Sequence, residues 1–321
     1  IHGDYSRWVN GETLHSVTNY ALHKALYSGH NDHNYFEIAH TVKYLQNMGN
    51  LDLYNFVDNH DVERIYTKLS NKAHFTPVHI LLYTLPGVPS IYYGSEFGIE
   101  GRKERSSDDS LRPALSLDNY ETALGDNPCT ALIAALGQIR QHTPALSYGS
   151  YAELHLTNRQ FAFARDLNDV RVVVTVNNDD NAASMDLPAG NAVEYIGALS
   201  GQKVAVQDGR INVTVPANSG EIWVPSGDMP EYKPFKVEIS VKEETVTDEE
   251  SIPADSEAPS SATEPVHFDP NKSPEDMSVA ELHAAILTKM ANNGPVTDQM
   301  QKTVNENIWH DSLVNWLKSF H

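Results

Sequence analysis

Residues 56–64 read FVDNHDVER, and this stretch decides both the fold and the chemistry expected of the 321-residue chain. It closes a short, mostly apolar run at residues 51–57, which predicts a buried strand entering a polar loop. At such a strand end, a neighbouring imidazole and carboxylate can reach adjacent hydroxyls of one sugar ring, with His60 as donor and Asp61 as acceptor. In the alternative interpretation Asp61 caps a helix and His60 packs in an ordinary loop, and spacing alone favours neither.

A second strand is predicted within the span of one βαβ unit. Residues 77–85 predict a helix that ends at Pro86-Gly87, and residues 89–93 predict a short apolar strand that Gly94 stops. The order strand, loop, helix and strand is that of a parallel pair. We therefore expect the two strands to direct their carboxyl ends at one polar face.

The rest of the chain changes its periodicity at residue 143. Before it, helical spacing of apolar residues predicts helices at residues 14–26, 35–48 and 130–142. After it, short β-rich runs separated by turn residues lie at 160–165, 170–176, 193–196, 211–215 and 221–224. The fold class is therefore α/β, with a following antiparallel β-sandwich.

Together, residues 56–64 and 85–98 resemble the alpha-amylase family of glycoside hydrolases. The first stretch resembles the last short signature of the family, and the second, LPGVPSIYYGSEFG, resembles its final barrel strand. The stretch HGDY at residues 2–5 and Arg112-Pro113 are also similar to family motifs, the former in relatives close to maltogenic amylases and neopullulanases. The resemblance covers about residues 1–225 and implies the C-terminal part of a (β/α)8 TIM barrel.

The resemblance implies roles for two residues. His60 would hydrogen-bond the sugar at the cleaved bond, and Asp61 would be the third carboxylate, which grips ring hydroxyls and favours the oxocarbenium-like state. Retaining hydrolysis also needs a close carboxylate pair, one attacking and one protonating. In the family both come from the fourth and fifth barrel strands, which implies that they lie upstream of Ile1.

Other polar residues near the predicted site have open roles. Arg112 could orient substrate hydroxyls or pair with Asp108 or Asp109, and we take Arg112 and Asp109 as candidate substrate-binding residues. The remaining acids, Glu63 and Glu96, line the cleft or cap helices in our interpretation. Nothing in the spacing of these carboxylates suggests a matched acid and base.

We expect four regions along the chain. Residues 1–143 form the barrel part, residues 144–225 the β-sandwich and residues 226–272 an acidic linker that contains Pro and Ser. Residues 226–270 hold twelve acidic residues against three lysines, a composition typical of a solvated segment. Residues 273–321 are predicted to form a small helical region that begins at a capping box, Ser278 with Glu281. So small a unit buries little surface and is expected to dock on the rest of the protein or on another copy.

Composition excludes several functional classes. Acidic residues outnumber Lys and Arg by 43 to 23, a net charge of −20 that would repel a nucleic-acid backbone. No apolar run approaches the roughly 20 residues that span a bilayer, so a membrane role is not expected.

Cys129 is the only cysteine, which suits a reducing, cytoplasmic compartment. His30 and His33 suggest a metal, yet no third ligand follows at a convincing spacing, so we predict no metal and no cofactor. The longer protein from which we expect this chain to derive could still bind calcium.

The functional expectation follows from these residues. The chain is predicted to be part of a retaining alpha-glucan hydrolase that lacks the nucleophile and the general acid, and so to be inactive alone. It starts at Ile1 without an initiator methionine, and we expect a truncated start. The alternative is a chain that binds starch or maltooligosaccharides without cutting them, or an interaction protein. Homo-oligomers are a further possibility, because part of a barrel leaves strand edges unpaired.

Overall fold

The structure is a computed structural model that describes residues 3–49, 51–105, 107–227 and 272–293, with the single residues 304, 313, 317 and 318. The chain divides into two units, Ile1–Glu243 and Glu244–His321. Most of the predicted acidic linker and of the helices expected after residue 294 lies outside the described residues. Within the described residues, no helix is long and apolar enough to cross a membrane.

A pair of parallel strands organises the first part of the larger unit. β1 (Tyr54–Phe56) pairs with β2 (Val88–Ser90), so that Tyr54 lies opposite Val88 and Phe56 opposite Ser90. Thr18 extends this sheet through a parallel bridge to Tyr54. The prediction of a parallel pair is therefore confirmed, and both strands end at the same edge of the sheet.

Helices surround this sheet and connect its strands. They are α1 (Tyr20–Asn31), α2 (Tyr35–Gln46), α3 (Ile65–Lys68), α4 (Phe75–Thr84), α5 (Ala123–Asp126), α6 (Pro128–His142) and α7 (Pro144–Tyr148). Between β1 and β2 the chain passes through α3 and α4, so a helical crossover joins the two parallel strands, as a βαβ unit requires. Every residue of α4 from Val78 to Leu82 is buried, which fits a helix covered on all sides.

The start of α1 corrects the predicted helix at residues 14–26. The helix begins only at Tyr20, because Thr18 is engaged in the bridge to β1. The buried Asn19 side chain accepts a hydrogen bond from Leu22 N at 3.1 Å and donates to Asn55 Oδ1 at 2.8 Å. Asn19 thus caps the helix and ties its first turn to β1.

Two arginines, the half-buried Arg140 and the buried Arg165, fix the end of α4. Arg140 donates to the carbonyls of Tyr83 at 2.6 Å and Gly87 at 2.8 Å, and Arg165 donates to the carbonyl of Thr84 at 2.5 Å. These carbonyls lie at the end of α4 and in the turn that follows, where backbone acceptors have no partner within the helix. Burial lowers the pKa of Arg165 to about 10. Arg165 thus anchors the last residue of α4, and Arg140 anchors both the end of α4 and the turn before β2.

The second part of the larger unit is an antiparallel β-sandwich. Its strands are β3 (Ser150–Leu156), β4 (Gln160–Leu167), β5 (Val170–Asn177), β6 (Ala183–Pro188), β7 (Glu194–Gly197), β8 (Lys203–Ala205), β9 (Arg210–Val215) and β10 (Ser219–Pro225). Six strands form one sheet in the order β3-β4-β5-β10-β7-β8, and β6 pairs with β9. Trp223, Met185 and Val213 are buried in the core between the two sheets. The sandwich was predicted, but β3, β6 and β8 were not.

The helical part and the sandwich share one hydrophobic core. Buried residues of α4, such as Leu81, belong to the same cluster as Phe161 of β4 and Val174 of β5. Val57, just after β1, lies in this cluster too. The sandwich therefore supports the helix that connects the two strands of the site.

The smaller unit contains α8 (Val279–Asn293). Ser278 N donates to Glu281 Oε2 at 2.7 Å, and Glu281 N donates to Ser278 Oγ at 3.3 Å, which confirms the predicted capping box. The hydrogen bond from the Ser278 backbone, together with Lys272, lowers the pKa of Glu281 to about 2. Leu282 and Ile286 are buried in the unit's own core, with Val304, Leu313 and Leu317.

Candidate functional site

The site forms at the carboxyl end of β1, where the chain turns through His60 and Asp61. Asp61 N donates to Asn59 Oδ1 at 2.8 Å, which closes the turn that presents both side chains. His60 Nε2 lies 3.3 Å from Asp61 Oδ2. The two side chains are 54% and 51% exposed. A donor and an acceptor therefore stand side by side and face solvent.

Arg112 approaches the same pair from a later loop. Its guanidinium Nη2 lies 3.5 Å from Asp61 Oδ1 and 3.8 Å from Asp108 Oδ2, and its Nε donates to the His60 carbonyl at 3.4 Å. The structure thus brings together three of the four predicted site residues, His60, Asp61 and Arg112. Asp61 is contacted on one oxygen by the imidazole and on the other by the guanidinium.

Asp109 and Asp108 differ in their contacts. Asp108 is the acid that pairs with Arg112, and a hydrogen bond from Lys103 Nζ at 2.7 Å lowers the pKa of Asp108. Asp109 contributes its backbone, because its N–H donates to Ser107 Oγ at 3.0 Å and its carbonyl accepts from Arg112 N at 3.0 Å. Asp109 is the first residue of a short 3-10 turn, Asp109–Leu111, and its side chain is exposed.

Two tyrosines that follow β2, Tyr92 and Tyr93, lie next to the His60 ring. The Tyr92 ring centroid lies 6.4 Å from the His60 ring and 4.7 Å from the Tyr93 ring. Tyr93 OH donates to the Pro113 carbonyl at 2.9 Å, which anchors the loop that carries Arg112. Aromatic faces beside polar groups suit a sugar, whose ring has apolar faces and polar edges.

A buried network lies beneath these exposed groups. Arg64 is fully buried, and its guanidinium donates to Ser95 Oγ at 3.0 Å, to the Leu111 carbonyl at 2.9 Å and to the Tyr93 carbonyl. Ser95 Oγ in turn donates to the buried Asp58 carboxylate at 2.8 Å. Burial raises the pKa of Asp58, and the hydrogen bonds from Ile65 N and Ser95 oppose that effect.

Comparison with known protein families agrees with this geometry. A family model described as the alpha-amylase catalytic domain matches residues 2–149, and a second, described as the alpha-amylase C-terminal domain, matches residues 149–223. Together they cover more than two thirds of the chain, and they place the catalytic type of domain before the β-sandwich. The chain belongs to the alpha-amylase family. Its α/β part is the TIM-barrel side of that architecture, and its sandwich is the C-terminal domain.

Individual relatives are more distant. Cyclomaltodextrin glucanotransferase of Niallia circulans is 28% identical over 180 residues, which are 54% of this chain and 24% of that protein. Neopullulanase 2 of Thermoactinomyces vulgaris is 25% identical over 233 residues, which are 69% of this chain and 39% of that protein. The solved alpha-amylase of Anoxybacillus superposes with a TM-score of 0.59 at 20% identity, over 70% of this chain and 50% of that one. The chain thus spans between a quarter and a half of the length of these relatives.

The other acids near the family signature have structural contacts. Glu63 lies 3.8 Å from Lys68 Nζ and 4.0 Å from Arg102 Nε. Oε2 of Glu96 is buried and, among the described residues, has no hydrogen-bond partner. In the described part of the chain, neither acid shares an ion pair or hydrogen bond with Asp61. In the described part of the chain, the contacts of Glu63 and Glu96 therefore do not bring two carboxylates together at the site.

The histidines considered for metal binding are spread over the interface with the sandwich. His30 is buried, and its Nδ1 lies 2.6 Å from the Leu26 carbonyl. His33 lies beyond the end of α1 with a φ of 48°, so it does not share a helix face with His30. Its Nδ1 contacts the Asn178 carbonyl and the Arg159 guanidinium, each at 2.9 Å. Within the described ranges, no group of three His, Cys, Asp or Glu side chains could hold a metal ion.

The buried half of the site was not predicted from the sequence. Arg64, Asp58 and Ser95 were not identified as functional, although all three stand inside the two stretches that carry the resemblance. The available signal was a charged residue directly after a predicted buried strand, at Asp58, and another charged residue, Arg64, at the end of the same stretch. Neither spacing distinguishes a buried charge from a surface one.

Proposed function

We propose that this chain provides the sugar-holding part of the cleavage site of a retaining alpha-glucan hydrolase. The observation that carries the proposal is the half-exposed His60–Asp61 pair at the carboxyl end of β1, with Arg112 on the second oxygen of Asp61. Family membership supports it, as do relatives named neopullulanase and cyclomaltodextrin glucanotransferase. The ligand in this proposal is a starch-like glucan or a maltooligosaccharide.

The geometry suggests how a sugar ring would be held. Asp61 accepts hydrogen bonds only, and a sugar hydroxyl beside it would donate to the carboxylate. His60 would bond a neighbouring hydroxyl, while Arg112 keeps the carboxylate oriented toward the cleft. Negative charge near the anomeric carbon favours the oxocarbenium-like state through which glycosides are cleaved. Tyr92 would cover one face of the ring.

We further propose that the chain alone does not cleave glucans. Retaining hydrolysis requires two carboxyl groups roughly 5–5.5 Å apart, one nucleophile and one general acid. The acids near the site are engaged elsewhere, as Glu63 is by Lys68 and Asp108 by Lys103 and Arg112. In this proposal the reactive pair comes from other barrel strands than those described. His60 and Asp61 then stabilise the oxocarbenium-like state that this pair generates.

A starch pull-down combined with a reducing-sugar assay tests both proposals on one sample. We expect the chain to be retained on insoluble starch and to release no product. Asp61→Asn and His60→Ala should lose retention, whereas Asp186→Asn should keep it. Asp186 is a matched control, since it is 55% exposed and paired with an arginine, Arg210, in the sandwich. Release of sugar that Asp61→Asn abolishes would overturn the inactivity proposal, and no retention of the unmodified chain would overturn the binding proposal.

A further inference from the structure

We infer that Arg64 is the positioning residue of the sugar site, because it holds the three segments that carry His60, Tyr92 and Arg112 in one arrangement. The inference rests on the proposed function for its purpose, but its geometry stands on contacts within the chain. Arg64 follows Asp61 by three residues and is fully buried. It touches no sugar in this proposal and acts through the residues around it.

The guanidinium joins three parts of the chain. One nitrogen donates to the Tyr93 carbonyl and to Ser95 Oγ, both after β2, and another donates to the Leu111 carbonyl at 2.9 Å. Leu111 directly precedes Arg112, and Tyr93 directly follows Tyr92. The backbone N–H of Arg64 adds a fourth link, to the Gly101 carbonyl at 3.0 Å. A planar group with donors in fixed directions is therefore needed at this position.

Two aromatic rings and a glycine pack closely around the Arg64 side chain. Its guanidinium carbon lies 4.2 Å from the centre of the Tyr92 ring and 5.1 Å from that of Tyr93. A Cβ added to Gly101 would come within 2.8 Å of Arg64 Cγ and 2.5 Å of the Ser110 carbonyl. Gly101 thus lies directly against the Arg64 side chain, with the Ser110 backbone as its other close contact.

The charge of Arg64 is compensated through a relay instead of an ion pair. In the described part of the chain, no carboxylate lies within ion-pair distance of this guanidinium. Ser95 accepts from Arg64 and donates to both Asp58 oxygens, at 2.9 and 2.8 Å. A buried charge without good partners is costly, so each member of such a network is confined to one geometry. That confinement is what a sugar site needs, since small displacements of contacting groups weaken binding.

Arg64→Lys is the direct test, because lysine keeps the charge but cannot reach the three acceptors together. Arg165→Lys is the matched control, since Arg165 is 2% exposed and also donates to backbone carbonyls, at Thr84 and Gly149. Both variants should melt at a lower temperature. Only Arg64→Lys should weaken maltoheptaose binding, by about tenfold, the effect of one misplaced charge-assisted hydrogen bond.

A second readout does not depend on sugar binding. The His60 ring can be followed by NMR, with its signals assigned by His60→Gln. We expect Arg64→Lys to shift the His60 ring signals, because Asp61 and Arg112 change their distance from the imidazole, and Arg165→Lys to leave them unchanged. If Arg64→Lys does not fold, Ser95→Ala takes its place, and we expect a smaller shift of the same His60 signals.

The outcomes separate the two proposals. An unmodified chain that does not bind maltoheptaose would contradict the proposed function, while shifted His60 ring signals in Arg64→Lys would still support the positioning role. Unchanged His60 ring signals and unchanged affinity in folded Arg64→Lys and Ser95→Ala would overturn that role. Equal shifts in Arg64→Lys and Arg165→Lys would show general destabilisation and overturn it as well.

Discussion

At the scale of single residues, the site depends on Asp61 being contacted from two sides. His60 lies 3.3 Å from one carboxylate oxygen and Arg112 3.5 Å from the other. All three side chains are about half exposed, so their mutual attraction contributes little to folding. In the proposed function their arrangement acts on sugar binding, and the free energy of unfolding is set elsewhere.

Arg112→Gln separates these two contributions. We expect it to change the free energy of unfolding by less than about 1 kcal/mol, as for other exposed ion pairs, because solvent screens the guanidinium. Maltoheptaose binding should fall severalfold, since Asp61 loses the group that orients it. Urea denaturation and calorimetry on the same variant measure both quantities. A large loss of stability with unchanged binding would contradict this assignment.

The exposed residues of the site could be predicted from sequence, and the buried ones could not. His60, Asp61 and Arg112 belong to recognisable motifs, and the parallel strands bring His60 and Asp61 to the same edge as the residues after β2. Arg64 carries a charge, and arginine is mostly exposed in proteins. Its burial depends on Leu111 and Tyr93, which approach it only in the folded chain.

At the scale of elements, side-chain hydrogen bonds decide where helices begin. Asn19 and Ser278 both cap helices, at α1 and α8. The capping box at Ser278 has a local signature and was predicted, since both partners lie within four residues. The start of α1 was predicted too early, because the pairing of Thr18 with Tyr54 is not local.

Asn19→Ala tests the start of α1, which the sequence pattern placed too early. The substitution removes the cap of α1 and leaves the amide of Asn55 without its buried partner. We expect a loss of about 2 kcal/mol or more, from a lost cap plus an unsatisfied buried group. Asn19→Asp should stay destabilised, because the buried carboxylate can cap the helix but cannot donate to Asn55 Oδ1. Equal melting temperatures for Asn19→Ala and the unmodified chain would refute the capping role.

The strands that sequence missed have weak patterns for physical reasons. β8 has three residues, and β3 lies at a sheet edge with no fully buried residue. β6 alternates, but Ser184 and Asp186 on its outer face give it a polar composition. Edge strands and polar faces depend on neighbours for their conformation, which a local pattern does not contain.

At the scale of the whole molecule, the short parallel sheet presents apolar side chains to solvent. Tyr54 of β1 is 44% exposed and Val88 of β2 is 49% exposed. A barrel would bury such strand residues in its interior. We expect the chain to self-associate through this face, with a sedimentation coefficient that rises with concentration. Val88→Lys should reduce the rise, and Val193→Lys, at an 82% exposed position in the sandwich, should not. A concentration-independent monomer would contradict this expectation.

Acid should destabilise the fold through buried histidines. Burial lowers the pKa of His30 to about 3 and that of His79 to about 4, from an ordinary value of 6.5. The unfolded chain therefore takes up protons first, so stability is full above pH 6.5 and falls as the pH drops toward 4. Each such histidine contributes a slope of up to about 1.4 kcal/mol per pH unit.

Urea denaturation between pH 7.5 and 5 measures that slope. His79→Leu should flatten it, because the titrating group in the core is gone. His40→Gln is the control, since His40 is exposed. A slope that is the same in His79→Leu and His40→Gln would exclude His79 as a source of acid sensitivity.

Calorimetric titration of maltoheptaose into the unmodified chain and into Asp61→Asn tests the proposal that the loop after β1 binds an alpha-glucan. We expect saturable binding to the unmodified chain and at least about tenfold weaker binding to Asp61→Asn, since one charge-assisted contact is lost. Equal affinity of the two proteins would contradict it.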